Sequence, residues 1–192
     1  MRIIRDYGDY NDYISHQKEK TLDPVRRKKW LNEEWDLKLS GFLQIFGGTC
    51  ENILTDDMNA LCLGARTGQE VVALRQLGLD AIGIDLVPCE PHVIAGDIHN
   101  LDFDDKYFDF VFTNIFDHSL NPQKMISEAE RVLKPNGLFL MQLQVDQGSD
   151  EYAENEIDSV AKDIHPLFKN TKINTSREIP RNFAGMNWEI LT

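Results

Sequence analysis

Positive charge is scarce in this chain. Its 192 residues hold 20 Lys and Arg against 32 Asp and Glu, for a net charge of −12. Such a surface repels phosphate backbones, which weighs against nucleic acid as a partner. The one basic cluster, Arg26-Arg27-Lys28-Lys29, reads as the solvated face of a helix before it reads as a phosphate site. The cysteines Cys50, Cys62 and Cys89 are three in number and lack metal-ligand spacing, so no metal site or radical cluster is expected. Cys62, between Leu61 and Leu63, reads as an inert core thiol. No apolar run approaches the roughly 20 residues that span a bilayer. The start, Met1-Arg2-Ile3-Ile4-Arg5-Asp6, turns charged at once, unlike a signal peptide. No membrane partner and a cytoplasmic location are the expectations. Internal repeats and low-complexity tracts are also missing.

What is present is a globular composition, 42% hydrophobic and 27% charged, in a length that suits one domain with a small appendage. A domain of this size buries about 70% of its unfolded surface. Tyr7, Tyr10, Tyr13 and Ile14 are spaced for a short amphipathic helix. Asp23-Pro24 is a strong helix start, with Asp as cap and Pro at the first turn. Leu31, Trp35, Leu39, Phe42 and Phe46 draw one apolar stripe along a helix that Gly47-Gly48 is expected to stop. Residues 1–51 thus read as an N-terminal helical extension, and residues 52–192 as the main domain.

From there the pattern alternates. Strands are expected at 60–63, 81–84, 108–113 and 138–143, with helices at 69–77 and 122–133. Short apolar strands alternating with helices imply an α/β fold, a doubly wound and mostly parallel sheet. A polar helix is expected over 151–164. Extended pieces at 172–179 and 187–191 then suit an antiparallel hairpin at the sheet edge. The interval between Asp85 and Asp97 is too short for a full crossover helix. An extended link and at most a short strand at 92–95 are expected there.

The densest signal is Ala60-Leu61-Cys62-Leu63-Gly64-Ala65-Arg66-Thr67-Gly68, followed by Gly83-Ile84-Asp85. It reads as a buried strand, a glycine turn, a helix start and a second strand with an acid at its tip. Gly64 allows the sharp turn and Gly68 a close ligand approach at the helix start. Asp85 is placed to accept hydrogen bonds from a ribose. The layout suits a nucleoside cofactor.

These residues resemble the class I S-adenosylmethionine-dependent methyltransferases, whose fold is Rossmann-like. Residues 61–68 are similar to their glycine-rich first motif, 83–85 to the second, and 96–103 to the third. Phe108-Asp109-Phe110-Val111-Phe112-Thr113-Asn114 looks like their fourth strand, and Glu130 to Gly137 like the link before the fifth. The resemblance spans residues 52 to 145. Gly64 to Glu70 with Phe116 to Leu120 further resembles a methyltransferase-like branch of unknown acceptor. The resemblance implies S-adenosyl-L-methionine as cofactor. It implies binding by Leu63, Gly64, Ala65, Arg66, Thr67, Gly68, Asp85, Leu86, Gly96, Asp97, Ile98, Asn114 and Ile115. Asp97 with Ile98 would meet the adenine, or Asp97 would only cap a turn. The sequence departs from the family at Cys62, usually an acid facing the methionine part, and at Arg66, usually a glycine. Glu70 would replace the lost carboxylate at the methionine ammonium, or is simply a helix-end Glu.

Methyl transfer from a sulfonium needs alignment and exclusion of water, and needs a base only for an acceptor that must lose a proton. Asp117 and His118 are the catalytic candidates, against the alternative that His118 merely packs over the cofactor. Asn114-Ile115-Phe116-Asp117 is not the Asn-Pro-Pro-aromatic tetrad used to methylate amino groups of adenine or glutamine. The expected acceptor is a small molecule. Two other readings stay open: a cofactor-binding regulatory or scaffold protein without turnover, and an NAD-dependent oxidoreductase. The latter lacks its Gly-x-Gly-x-x-Gly. Trp30, Trp35 and the tyrosines belong either to a lid shaping the acceptor pocket or to plain core.

Overall fold

The computed structural model describes residues 1–51, 53–148 and 150–192. A short strand β1 (Arg2–Ile3) leads into helices α1 (Tyr10–Leu22), α2 (Pro24–Lys28) and α3 (Trp35–Thr49). The Asp9 carboxylate caps α1 through the N–H groups of Asn11 and Asp12, and Asp23 caps α2 with Pro24 in its first turn. Both starts satisfy donors that a helix leaves orphaned. Between α2 and α3, Lys29–Glu33 forms one wide π turn. That extra residue shifts the register, so Trp30 is buried while Leu31 stays exposed. The single expected stripe is therefore broken at Leu31. Gly47-Gly48 does not stop α3, which runs on until Cys50 N–H closes the last turn on Phe46 O. Buried Phe42, Phe46 and Cys50, four residues apart, anchor that turn, and the helical bonds themselves need no side chain at 47 or 48.

The alternating part follows as β2 (Asn59–Leu63), α4 (Gln69–Gln76), β3 (Asp80–Asp85), β4 (Val93–Ala95), β5 (Phe108–Thr113), α5 (Pro122–Val132) and β6 (Leu133–Leu143). Then come β7 (Asn155–Glu156), α6 (Val160–Asp163), β8 (Thr175–Glu178) and β9 (Trp188–Leu191). Seven strands form one sheet in the order β4-β3-β2-β5-β6-β9-β8. The first five are parallel, and β9 and β8 add an antiparallel edge hairpin. This is the doubly wound sheet expected. β6 begins earlier than expected because Leu133 already pairs with Phe108 before the register shifts.

Period-two alternation divides β2 between two layers. Leu61 and Leu63 face the α5 side, whereas Ala60 and Cys62 face the side covered by α3 and α4. Phe42 and Phe46 of α3 pack edge-on against Phe112, with ring centroids 5.8 and 5.0 Å apart. Burying each ring contributes about 2–3 kcal/mol, and each such pair about 1 more. α3 therefore shares the core of the sheet. The expected boundary at 51/52 falls on Asn52, outside the described residues.

The expected polar helix at 151–164 is reduced to α6. Residues 153–157 are instead mostly buried and extended, and β7 pairs antiparallel with β1. Ile4 N–H donates to Glu154 O at 2.9 Å. The chain's own beginning thus satisfies a backbone that a helix would have satisfied internally. The strand order reverses between β2 and β5, which opens a crevice at the carboxyl ends of both. Among the described residues no helix is long and apolar enough to cross a membrane.

Candidate functional site

Between β2 and α4 the chain turns with Gly64, Arg66 and Gly68 at φ of 73°, 46° and 88°. A Cβ on Gly64 would lie 2.3 Å from Ile115 Cγ1, so this glycine answers both the backbone and the close approach of β5's end. A Cβ on Gly68 would lie 2.6 Å from His92 Cβ. Gly68 thus makes room for His92 and lines neither cavity described below. Leu63 is likewise core, 1% exposed and turned into the α5 layer.

Asp85, at the tip of β3, is held by two backbone donors, Arg66 N–H at 3.1 Å on one oxygen and Val87 N–H at 3.0 Å on the other. Each oxygen keeps a lone pair for a further donor. Burial raises the pKa of this carboxyl, with the Val87 and Arg66 N–H groups opposing it. Asp97 is more heavily engaged. His99 N–H and Nδ1–H reach one oxygen at 2.8 and 3.0 Å, and the Tyr10 hydroxyl donates to the other at 2.6 Å. Burial works to raise Asp97, yet the hydrogen bonds from His99 and Tyr10 prevail and hold it at about 2. Asp97 does cap its own turn, and it also borders the cleft.

The crevice comprises two adjoining cavities. The smaller, about 60 Å³, is bordered by Asp85, Leu86, Gly96, Asp97 and Ile98 on one side and by Tyr13, Gln17, Lys20 and Thr21 of α1 on the other. The larger, about 310 Å³, takes in Ala65, Thr67, Glu70, Asn114 and Asp117, with Phe42, Phe183 and Met186 as an apolar wall. Gly64, Arg66, Ile115, His118 and Lys20 border both. The larger is of a size that suits a small ligand, whereas the smaller is narrowed by α1. Glu70, in the first turn of α4, is 5% exposed, and burial pushes its carboxyl up to about 7. Cys62 lies beneath it with its thiol driven well above the usual range by burial.

Asp117 and His118 are adjacent in sequence, and the short turn Phe116–His118 brings both to the larger cavity. His118 Nδ1 is 2.8 Å from the Tyr152 carbonyl. A carbonyl only accepts, so Nδ1 carries a proton, and Nε2 is the acceptor of the tautomer this contact selects. The Asp117 carboxylate lies 3.8 Å from Nε2. Tyr13 OH donates to the His118 carbonyl at 3.1 Å, which ties α1 to this turn. No motif signals Gln17, Lys20, Lys38, Gln144, Phe183 or Met186, which also border the cleft. Only the tyrosine spacing pointed to α1.

Residues 61–141 match the family described as "Methyltransferase domain". Over 94 residues the chain is 35% identical to malonyl-[acyl-carrier protein] O-methyltransferase 1 of Coxiella burnetii, covering 43% of this chain and 33% of the other. It is 33% identical over 94 residues to an uncharacterized methyltransferase of Synechocystis, covering 42% and 43%. The fold is similar to that of a 1,6-didemethyltoxoflavin-N1-methyltransferase of Burkholderia thailandensis, solved with 1,6-didemethyltoxoflavin and S-adenosylhomocysteine. The TM-score is 0.69 at 15% identity over 98% of this chain and 91% of that one. The stretch from β2 to β6 is thus similar to a methyltransferase domain, and the fold is similar to that of a methyltransferase solved with S-adenosylhomocysteine. The chain spans less than half the length of the curated relatives it matches, 43% and 33%.

Proposed function

We propose that this protein moves the methyl group of S-adenosylmethionine onto a small-molecule acceptor held in the larger cavity. The observation that carries the reading is the junction of the two cavities at Gly64, Arg66, Ile115 and His118. Asp85 would hold the ribose and Gly96 to Ile98 the adenine, which would leave the residues of that junction to surround the sulfonium. When bound, the cofactor would supply a sulfonium methyl group to the acceptor's lone pair and would leave as the neutral thioether. For a protic acceptor, the proton passes to His118 Nε2. The Tyr152 carbonyl fixes the ring tautomer, and Asp117 stabilises the resulting imidazolium. α1 covers the smaller cavity as a lid contributed by residues 1–51, which limits access and favours a small acceptor.

The test incubates the protein with methyl-labelled S-adenosylmethionine and a macromolecule-free metabolite extract, with mass spectrometry as readout. A labelled small product is expected, and for a protic acceptor His118→Gln lowers its rate about 100-fold or more. Label appearing only when proteins or nucleic acids are added contradicts a small acceptor. A second reading, a cofactor-binding regulatory protein, is favoured by Cys62 and Arg66, the two departures from the family's first motif. Tight S-adenosylhomocysteine binding without any labelled product supports it.

A further inference from the structure

Two charged groups in the larger cavity are not accounted for by the fold. The Glu70 carboxylate is 95% buried by its 5% exposure, yet its one hydrogen bond comes from its own backbone N–H. Among the described residues the Arg66 guanidinium has no ion pair and no hydrogen bond. It rests on the Trp30 ring, 4.4 Å from the centroid. Buried carboxylates are rarely left so, because desolvation without a partner is costly. The other cations nearby are already engaged. Lys38 pairs with Glu34 at 2.9 Å, and Lys20 with Asp150 at 2.7 Å. Arg66 also sits in the left-handed backbone region at φ 46°, where the family usually has glycine. A strained backbone is retained there with a side chain attached.

We propose that Arg66 and Glu70 form a clamp for the zwitterionic end of the cofactor, the guanidinium taking its α-carboxylate and the Glu70 carboxylate its α-ammonium. The inference rests on the cofactor reading above. It assigns to α4 and to the turn the charges that Cys62 cannot supply at the end of β2. The two groups lie on either side of the same turn and border the same cavity, next to the junction where the sulfonium is placed. A planar fork suits a carboxylate and a buried carboxylate suits an ammonium, so the pair matches an amino acid in polarity and order. Binding would also couple to protons. Without ligand, burial keeps the Glu70 carboxyl near 7. An ammonium beside it favours the ionised form, so protons leave as the ligand enters at slightly acid pH. The charged groups facing Glu70 are Arg66 in the turn, Lys38 and Glu34 on the α3 side and Asp85 on β3. Lys20 on α1, Asp117 and His118 after β5, and Asp150 after β6 complete the set.

The test is calorimetric titration of the whole chain with S-adenosylhomocysteine, its decarboxylated analogue and its deaminated analogue. The unsubstituted protein should bind each truncated ligand roughly 10- to 100-fold more weakly than S-adenosylhomocysteine. Glu70→Gln should weaken S-adenosylhomocysteine by a similar factor and leave the deaminated analogue unchanged. Arg66→Gln should do the same for the decarboxylated analogue. Titration at pH 6.5 in buffers of different ionisation enthalpy should show proton release that Glu70→Gln abolishes. Equal losses on all three ligands, or no loss from either substitution, overturn the clamp while leaving the cofactor reading intact. No binding of S-adenosylhomocysteine by the unsubstituted protein overturns both. Thermal midpoints of the variants separate lost affinity from lost folding, and the ligand-side comparison needs no variant.

Discussion

The floor and the roof of the cleft are held by different kinds of bond. On the floor, the Asp85 carboxylate is oriented by backbone N–H groups of Arg66 and Val87, and Gly64 and Ala65 both donate to Ile84 O at 2.9 Å. The donors sit on a turn anchored in the middle of a parallel sheet, where backbone and packing leave one arrangement. On the roof, Gln17 reaches the Tyr152 carbonyl 135 positions away, and Lys20 reaches Asp150 130 positions away. Tyr7 OH donates to Glu154, with Gln17 on the same carboxylate oxygen at 2.7 Å. The floor is therefore preorganised by the sheet. The roof is a set of side-chain ties between two chain segments that can part without disturbing the sheet. A ligand enclosed by both needs the roof to open first.

Substitutions should separate the two. The largest effect is expected on the floor. Asp85→Ala removes the acceptor for the ribose and should cost S-adenosylhomocysteine about 100-fold or more in affinity. A loss under about threefold by calorimetry would break the assignment of the floor. Next is Gly64→Ala, which places a Cβ against Ile115 at positive φ and should destabilise the fold by about 2–4 kcal/mol. Urea denaturation measures this, and a change below about 1 kcal/mol would mean that the turn relaxes freely.

Glu70→Gln should change stability with the opposite sign. The folded protein holds this carboxyl up at about 7, above its value of 4.5 without burial. A raised carboxyl pKa means that the folded form keeps a proton the unfolded chain has lost, so stability falls as pH rises from 4.5 to 7. The substitution should therefore stabilise the protein by about 1–3 kcal/mol at pH 8 and change little at pH 4. Denaturation at both values checks it, and destabilisation at pH 8 would show that Glu70 has a resident partner. The smallest effect is on the roof. Tyr10→Phe removes the hydroxyl from Asp97 and should cost about 1 kcal/mol. Hydrogen exchange should quicken in α1 and stay unchanged in β2 and β3. Equal quickening in all three would erase the distinction between roof and floor.

The same contrast explains what the sequence disclosed. The floor could be read because its chemistry is local. Gly64, Asp85 and the strand at 108–113 follow from glycine turns and short apolar runs, and the structure places them as expected. Gly68 lies in the expected turn, and nothing in its flanks announces His92 against it. The roof could not be read. The stretch 151–157 looks polar enough for a surface helix, and only pairing with Arg2–Ile3 and Tyr7 makes it extended and buried. Likewise the wide turn at Lys29–Glu33 exchanges Trp30 for Leu31, which no regular period anticipates. Asp97 lies between the cases: its turn is local, whereas the Tyr10 hydroxyl arrives from 87 positions away.

The most direct measurement is a crystal structure of the protein with S-adenosylhomocysteine. The account predicts both ribose hydroxyls on Asp85, adenine between Gly96 and Ile98, and sulfur at the junction beside Gly64 and Ile115. The Phe42, Phe183 and Met186 wall of the larger cavity should then remain open for the acceptor. A ligand whose sulfur lies away from that junction, or one that fills the larger cavity with its adenosine, would contradict it.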